Sequence, residues 1–239
     1  MRASSEPMFD VPGVVLGIVA ICALVLAGQT FLLDDADNTA FTYCFGFVPA
    51  RYDGTPMPAA WCPSGTGAEA WSFLTYAFLH GDVAHLATNT VVFVIVGSAV
   101  ARRFGNLRAL GFFLATAAGG AVMNLVVHWG ERAPMIGASG AVFGFIAGAI
   151  RFVFQPGGPV ARSGQHDPAA YFVPAAPLAA ARRDYRALVL VLAWLVLNVL
   201  DALVAGTDDT RVSWEAHIGG FLTGLVLFSV FDPVRPRSA

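Results

Sequence analysis

The sequence predicts an all-α polytopic membrane protein: a bundle of six transmembrane helices with both termini in the cytoplasm. Three observations predict it. The 239-residue chain is 56% apolar and only 13% charged, about half the charge content of a soluble domain, with a mean hydropathy of +0.65. Apolar segments recur at roughly 11–33, 73–100, 109–128, 138–154, 187–206 and 215–231, most of them near the ~20 residues a spanning helix needs. Basic residues, all of them Arg, concentrate in alternate connections, and positive loops stay in the cytoplasm.

The elements follow in order. Residues 1–10, with Arg2, form a cytoplasmic N-terminus. The run 11–33 is longer than the apolar core of a signal peptide and lacks its small-residue cleavage site, so it is a retained helix. The outer loop 34–72 has one arginine, Arg51, against Asp34, Asp35, Asp37, Asp53 and Glu69. Its many aromatics, Trp61 and Trp71 among them, suit either the membrane–water interface or a small extramembrane core. Cys44 and Cys62 share this loop; they form a disulfide or two free thiols, depending on the compartment. Arg102, Arg103 and Arg108 place the connection between the second and third spans inside. The 155–185 stretch, rich in Pro, Gly, Ala and Arg, reads as a flexible cytoplasmic linker, flanked by Arg151 and Arg186. The loops after the third and fifth spans carry only Arg132 and Arg211. Arg235 and Arg237 sit in a cytoplasmic tail, 232–239. The 11–231 stretch is thus one membrane domain, with no internal repeat and no zinc-type cysteine spacing.

Polar residues inside apolar helices are costly and face the bundle interior or a wet cavity. Four of them gather near one depth. His85 and Asn89 are four apart in "HGDVAHLATNTVVF", so they share a helix face. His217 stands one turn into "WEAHIGGFLTG". Ser139 opens "SGAVFGFIAGAI". All three helices enter from outside. From Ser139 to Arg151 is about twelve residues, roughly 18 Å of helix, so Ser139 lies well below the outer surface. The segment before it must dip inward as irregular backbone, which protein or a wet cavity has to cover. Gly140, Gly144 and Gly148 make one small-residue ridge, and Gly220 and Gly224 another. Such ridges let membrane helices approach closely. If these two meet, Ser139 and His217 become neighbours.

The motifs "HGDVAHLATN", "GASGAVFG" and "AHIGGFLTG", in that order on the second, fourth and sixth spans, resemble the rhomboid family of intramembrane serine proteases. The resemblance covers about residues 71–231. It implies a six-helix bundle with a water-filled cavity open to the outer side, cleaving single-span membrane proteins within the lipid bilayer. It implies Ser139 as nucleophile, His217 as general base, and His85, Asn89 and the Ser139 N–H as an oxyanion hole. Gly137 matches a family glycine, and Trp71 a tryptophan of the first loop. His80 belongs to the oxyanion region or braces that loop. Three positions depart from the family pattern. Ser72 stands where Arg is frequent and Ala101 where Glu is frequent, which puts loop anchoring in question. Phe143 replaces a Tyr that stacks on the catalytic His; it keeps the ring and loses the hydroxyl. The resemblance implies a dyad, with neither Asp201 nor Glu215 as a third member.

No cofactor, metal or nucleic-acid partner is expected, and a bacterial inner membrane is the expected location. Two rivals stand. His80, His85 and His217 could bind zinc, although no HExxH helix is present and the serine would go unexplained. A non-cleaving relative could instead bind membrane clients at the same site. Taken singly, Ser139 could merely bond the carbonyl one turn back, and His85, Asn89 and His217 could be interhelical glue.

Overall fold

The computed structural model describes residues 11–54, 56–58, 62, 67–161, 167–178, 184–204 and 213–234. Arg2, Trp61, Arg211, Arg235 and Arg237, named above, lie outside them, as do residues 1–10 and 235–239 and the side chain of Asp201. Among the described residues the protein is all-helical, with no strand and one isolated antiparallel bridge, Phe47 to Met135. The principal helices are α1 (Gly13–Leu32), α2 (Asp35–Phe45), α3 (Ala68–Thr75), α4 (Val83–Phe104), α5 (Asn106–Val127), α6 (Ser139–Ala149), α7 (Tyr185–Val204) and α8 (Trp214–Phe231). Of these, α1, α4, α5 and α8 are long and apolar enough to cross a membrane. The protein is therefore an integral membrane protein.

Two boundaries differ from the sequence reading. The apolar run 73–100 is not one helix. Its first residues belong to α3 and to a 3-10 turn, Tyr76–Phe78, and the membrane helix starts at Val83. Asp82 sets that start, because its carboxylate accepts the His85 N–H at 2.7 Å, a capping bond that satisfies a free donor of the first turn. The fourth apolar run, 138–154, is helical only over α6. After Ala149 the chain tightens into turns, with Arg151 N–H donating to Gly148 O and Phe152 N–H to Ala149 O. Eleven residues make about 16 Å of helix, half a hydrocarbon core.

Helix α8 packs against α5 and α6, and glycine makes both contacts possible. A Cβ on Gly220 would fall 1.8 Å from Gly140 O, and one on Gly224 2.4 Å from Gly144 O. On the α5 side, a Cβ on Gly219 would fall 2.4 Å from Gly119 O. These backbones touch, as small-residue ridges allow. Gly148 contributes differently: it faces the rings of Phe112 and Phe228.

The outer loop is tied to α3 by named bonds. Trp71 Nε1 donates to Cys44 O at 3.0 Å and Thr75 Oγ1 to Phe45 O at 2.5 Å. Tyr52 Oη donates to Glu69 O at 2.8 Å and lies 3.2 Å from Ser72 Oγ; burial pushes the Tyr52 phenol up, and the Ser72 bond opposes that. Cys44 and Cys62 form a disulfide with Cα atoms 4.9 Å apart. The Arg51 guanidinium donates to Tyr43 O within the loop.

At the opposite end of the bundle, Arg103 is fully buried. It makes a two-bond pair with Asp232, both bonds at 2.8 Å, and donates to Tyr171 O and Val173 O at 2.7 and 2.8 Å. Arg151 Nε donates to Ala176 O at 2.8 Å, and Ala176 N–H returns a bond to Arg151 O at 2.7 Å. The stretch read as a flexible linker is therefore clasped against the helix ends at residues 171–176. The clasp uses backbone carbonyls, which leave no trace in composition.

Candidate active site

Ser139 is the first residue of α6, with Ala138 at its N-cap and no side-chain capping bond. The approach is irregular backbone held from two sides. Met135 exchanges both backbone bonds with Phe47, at 3.0 and 2.8 Å, and Gly137 N–H donates to Tyr76 O at 2.9 Å. Gly137 has φ +115°, and a Cβ there would meet His85 Nε2 at 2.7 Å. Only glycine satisfies both conditions. The approach to Ser139 is thus irregular backbone covered by protein. It leaves the N–H groups of the first helical turn without intrahelical partners, at the positive end of the helix dipole.

His217 is reached from the other direction. It stands in the first turn of α8, 2% exposed, on the stretch that Gly219 and Gly220 bring against α5 and α6. Its Nε2 lies 2.7 Å from Ser139 Oγ, and its ring stacks on Phe143 with centroids 4.4 Å apart and planes within 12°. The ring contact at Phe143 is thus kept without the hydroxyl. The Nδ1 atom is buried and has no hydrogen-bond partner among the described residues. Glu215, two residues earlier, points elsewhere and pairs with His128 Nε2 at 2.9 Å.

The other polar residues surround Gly137 and Ser139. His85 is half-buried, its Nε2 beside Gly137. Asn89 is 5% exposed; its Nδ2 donates to His85 O at 3.0 Å, and its Oδ1 has no partner among the described residues. His80 is 1% exposed, its ring edge-on to His85 at 5.0 Å. It shares a small cavity with Ile18 and Cys22 of α1, Asn89 and Ala138. Trp71 stands apart, anchoring the outer loop. The structure therefore brings together Ser139, His217, Phe143, Gly137, His85, Asn89 and His80.

One neighbour escaped sequence reasoning. Tyr76 is 1% exposed. Its Oη donates to Ala117 O at 2.8 Å and lies 2.8 and 2.9 Å from where Cβ atoms of Gly120 and Gly140 would be. It fills the junction of α5, α6 and α8 beside both Gly140 and Ala216, next to Ser139 and His217. Its sequence signal was weak, a tyrosine inside an apolar run.

Chemically, a serine hydroxyl on an imidazole Nε2 is a nucleophile with a base in reach. Free N–H donors at a helix N-terminus, with a His nearby, can receive a developing oxyanion.

Comparison with known proteins points the same way. A family model described as the rhomboid domain matches residues 67–232. The chain is 29% identical over 171 residues to RHOMBOID-like protein 4 of Arabidopsis thaliana, covering 72% of this chain and 36% of that protein. It is 41% identical over 85 residues to Rhomboid protease GluP of Bacillus subtilis, covering 36% of this chain and 16% of the relative. It is 22% identical over 170 residues to Rhomboid protease AarA of Providencia stuartii, covering 66% of this chain and 54% of the relative. The chain thus spans between about a sixth and about half of the length of these relatives.

Proposed function

The chain belongs to the rhomboid family, and from that premise we propose that it is an intramembrane serine endopeptidase working by a Ser139–His217 dyad. The observation that carries the proposal is the 2.7 Å approach of His217 Nε2 to Ser139 Oγ, with the imidazole held flat on Phe143. A zinc site on His80, His85 and His217 would leave that approach unexplained.

In the proposed reaction Ser139 Oγ attacks the scissile carbonyl carbon as His217 Nε2 takes its proton. The carbonyl oxygen, now an oxyanion, is received by the Ser139 N–H, His85 and Asn89. Asn89 Nδ2 must turn from His85 O to join them. The C–N bond then breaks, and the imidazolium returns its proton to the leaving amine. Water, activated by the neutral His217, attacks the acyl ester and regenerates Ser139. The bare Nδ1 supports a dyad over a triad. The positive charge that forms on His217 rests on the Phe143 face, a cation–π contact worth about 0.5–2 kcal/mol.

In the same reading α6 and α7 complete six spans, both termini are cytoplasmic, and the cavity opens outward in a bacterial inner membrane. Its substrates are single-span membrane proteins. Helix-breaking residues near the cut let their chains extend into the site.

The test is labelling in detergent with a fluorophosphonate probe, comparing wild type, Ser139→Ala and His217→Ala. Loss of labelling in both variants supports the dyad. Absence of labelling from a well-folded wild type supports a non-cleaving client binder instead. Labelling that survives Ser139→Ala means that another serine reacts.

A further inference from the structure

We infer that His128 and Glu215 are a positioning pair that holds His217 in place from outside the dyad. This rests on the protease reading above. The first turn of α8 begins without a cap, since the Ser213 side chain makes no capping bond. Glu215 stands in that turn, its side chain 5% exposed, with Oε1 2.9 Å from His128 Nε2. Its Oε2 has no partner among the described residues, so the buried carboxylate depends on His128.

His128 is itself well founded. It closes α5, its N–H donating to Asn124 O at 2.8 Å. Its Nδ1 lies 2.5 Å from Glu131 Oε2. Glu131 N–H donates to His128 O, and Glu131 O accepts from Ala50 N–H, both at 2.9 Å. One imidazole therefore joins the end of α5, the segment running to Ser139, and the helix that carries His217.

The spacing along α8 gives the bridge its consequence. Glu215 is held to α5 by His128. Gly219 is held to α5 by backbone contact with Gly119 and by Met123. His217 lies between these two attachments, on a stretch fixed at both ends. Releasing the upper attachment lets the uncapped turn fray and lets the imidazole drift from Ser139. Neither His128 nor Glu215 touches Ser139, so the pair acts through His217.

The experiment measures the kinetics of fluorophosphonate inactivation of the full chain in detergent, separating kinact from KI. It compares wild type with Glu215→Gln, His128→Gln, His128→Arg and Glu131→Gln, with thermal unfolding recorded for each. For the two Gln variants of the pair, kinact is expected to fall between about tenfold and a hundredfold, the range for a reacting group displaced by up to an ångström, with KI unchanged. His128→Arg presents N–H donors to Glu215 and recovers most of the wild-type kinact. Glu131→Gln has a smaller effect, because Glu131 is more exposed. Both pair variants folded, with wild-type kinact, would overturn the positioning pair and leave the protease reading intact. If neither Gln variant folds, His128→Arg decides: near-wild-type kinact supports the pair, and a folded but slow variant overturns it. Failure of the wild type to label at Ser139 overturns the protease reading, and the pair with it.

Discussion

Gly220→Ala tests whether the glycine ridges set the dyad. The new methyl carbon would be placed 1.8 Å from Gly140 O, a backbone atom that cannot swing aside. A carbon–oxygen contact needs about 3.3 Å, so α6 and α8 must part by about 1.5 Å at this level. Ser139 precedes Gly140, and His217 lies one turn above Gly220. Carried to the dyad, that shift stretches the 2.7 Å contact to about 4 Å, beyond hydrogen-bond reach. A displacement of this size costs about a hundredfold in rate, while overpacking costs about 1–3 kcal/mol of stability. The assay is kinact with the fluorophosphonate probe, alongside thermal unfolding in detergent. Gly17→Ala is the control, because nothing lies within 4 Å of that Cβ; it should label normally and unfold no earlier than wild type. A folded Gly220→Ala protein labelling at the wild-type rate would refute the reasoning, since the ridge contact would not control the Ser–His distance.

Three further outcomes are expected. His85→Ala and Asn89→Ala should each lower kcat on a single-span peptide substrate about 10²- to 10³-fold with little change in KM, the pattern of a lost oxyanion donor; equal kcat values would remove them from the oxyanion hole. Arg103→Ala should destabilise by about 3–5 kcal/mol, because Asp232 keeps a buried charge without its partner. Arg103→Met combined with Asp232→Leu should lose less than the single change, as seen in thermal unfolding. Cys44→Ser opens an 18-residue separation and should cost about 3 kcal/mol; reducing agent should lower the wild-type unfolding temperature towards that of the variant and leave the variant unmoved.

Much of the membrane architecture was legible, for a physical reason: a lipid-crossing helix must be apolar over its whole length. The ends of α1, α5 and α8 lie within three residues of the apolar runs. The break before Val83 was missed because apolarity continues across it from Phe73 to Leu79; the capping Asp82 was the local sign. The ridges Gly140–Gly144 and Gly220–Gly224 were legible as patterns, and their pairing puts Ser139 beside His217. The His128–Glu215 pair had no such sign, because it joins the ends of two helices far apart in sequence. Tyr76 was hidden among apolar neighbours, although it fills the junction beside the dyad. At Ser72 the sequence raised a doubt about loop anchoring. The structure holds that loop through Trp71, Thr75, Tyr52 and Arg51, acting largely on carbonyls that every residue possesses.

The arginine clasp on 171–176 has an evolutionary consequence. Arg103 and Arg151 reach Tyr171, Val173 and Ala176 through main-chain oxygens. Any residue offers the same oxygen, so these bonds themselves do not constrain the three side chains; burial does at Ala176, which is 3% exposed, and ring stacking under Arg102 does at Tyr171. The bonds constrain the count of residues between them, since one insertion shifts every later carbonyl out of reach. Among close relatives that keep both arginines, this stretch should vary more in letters than in length.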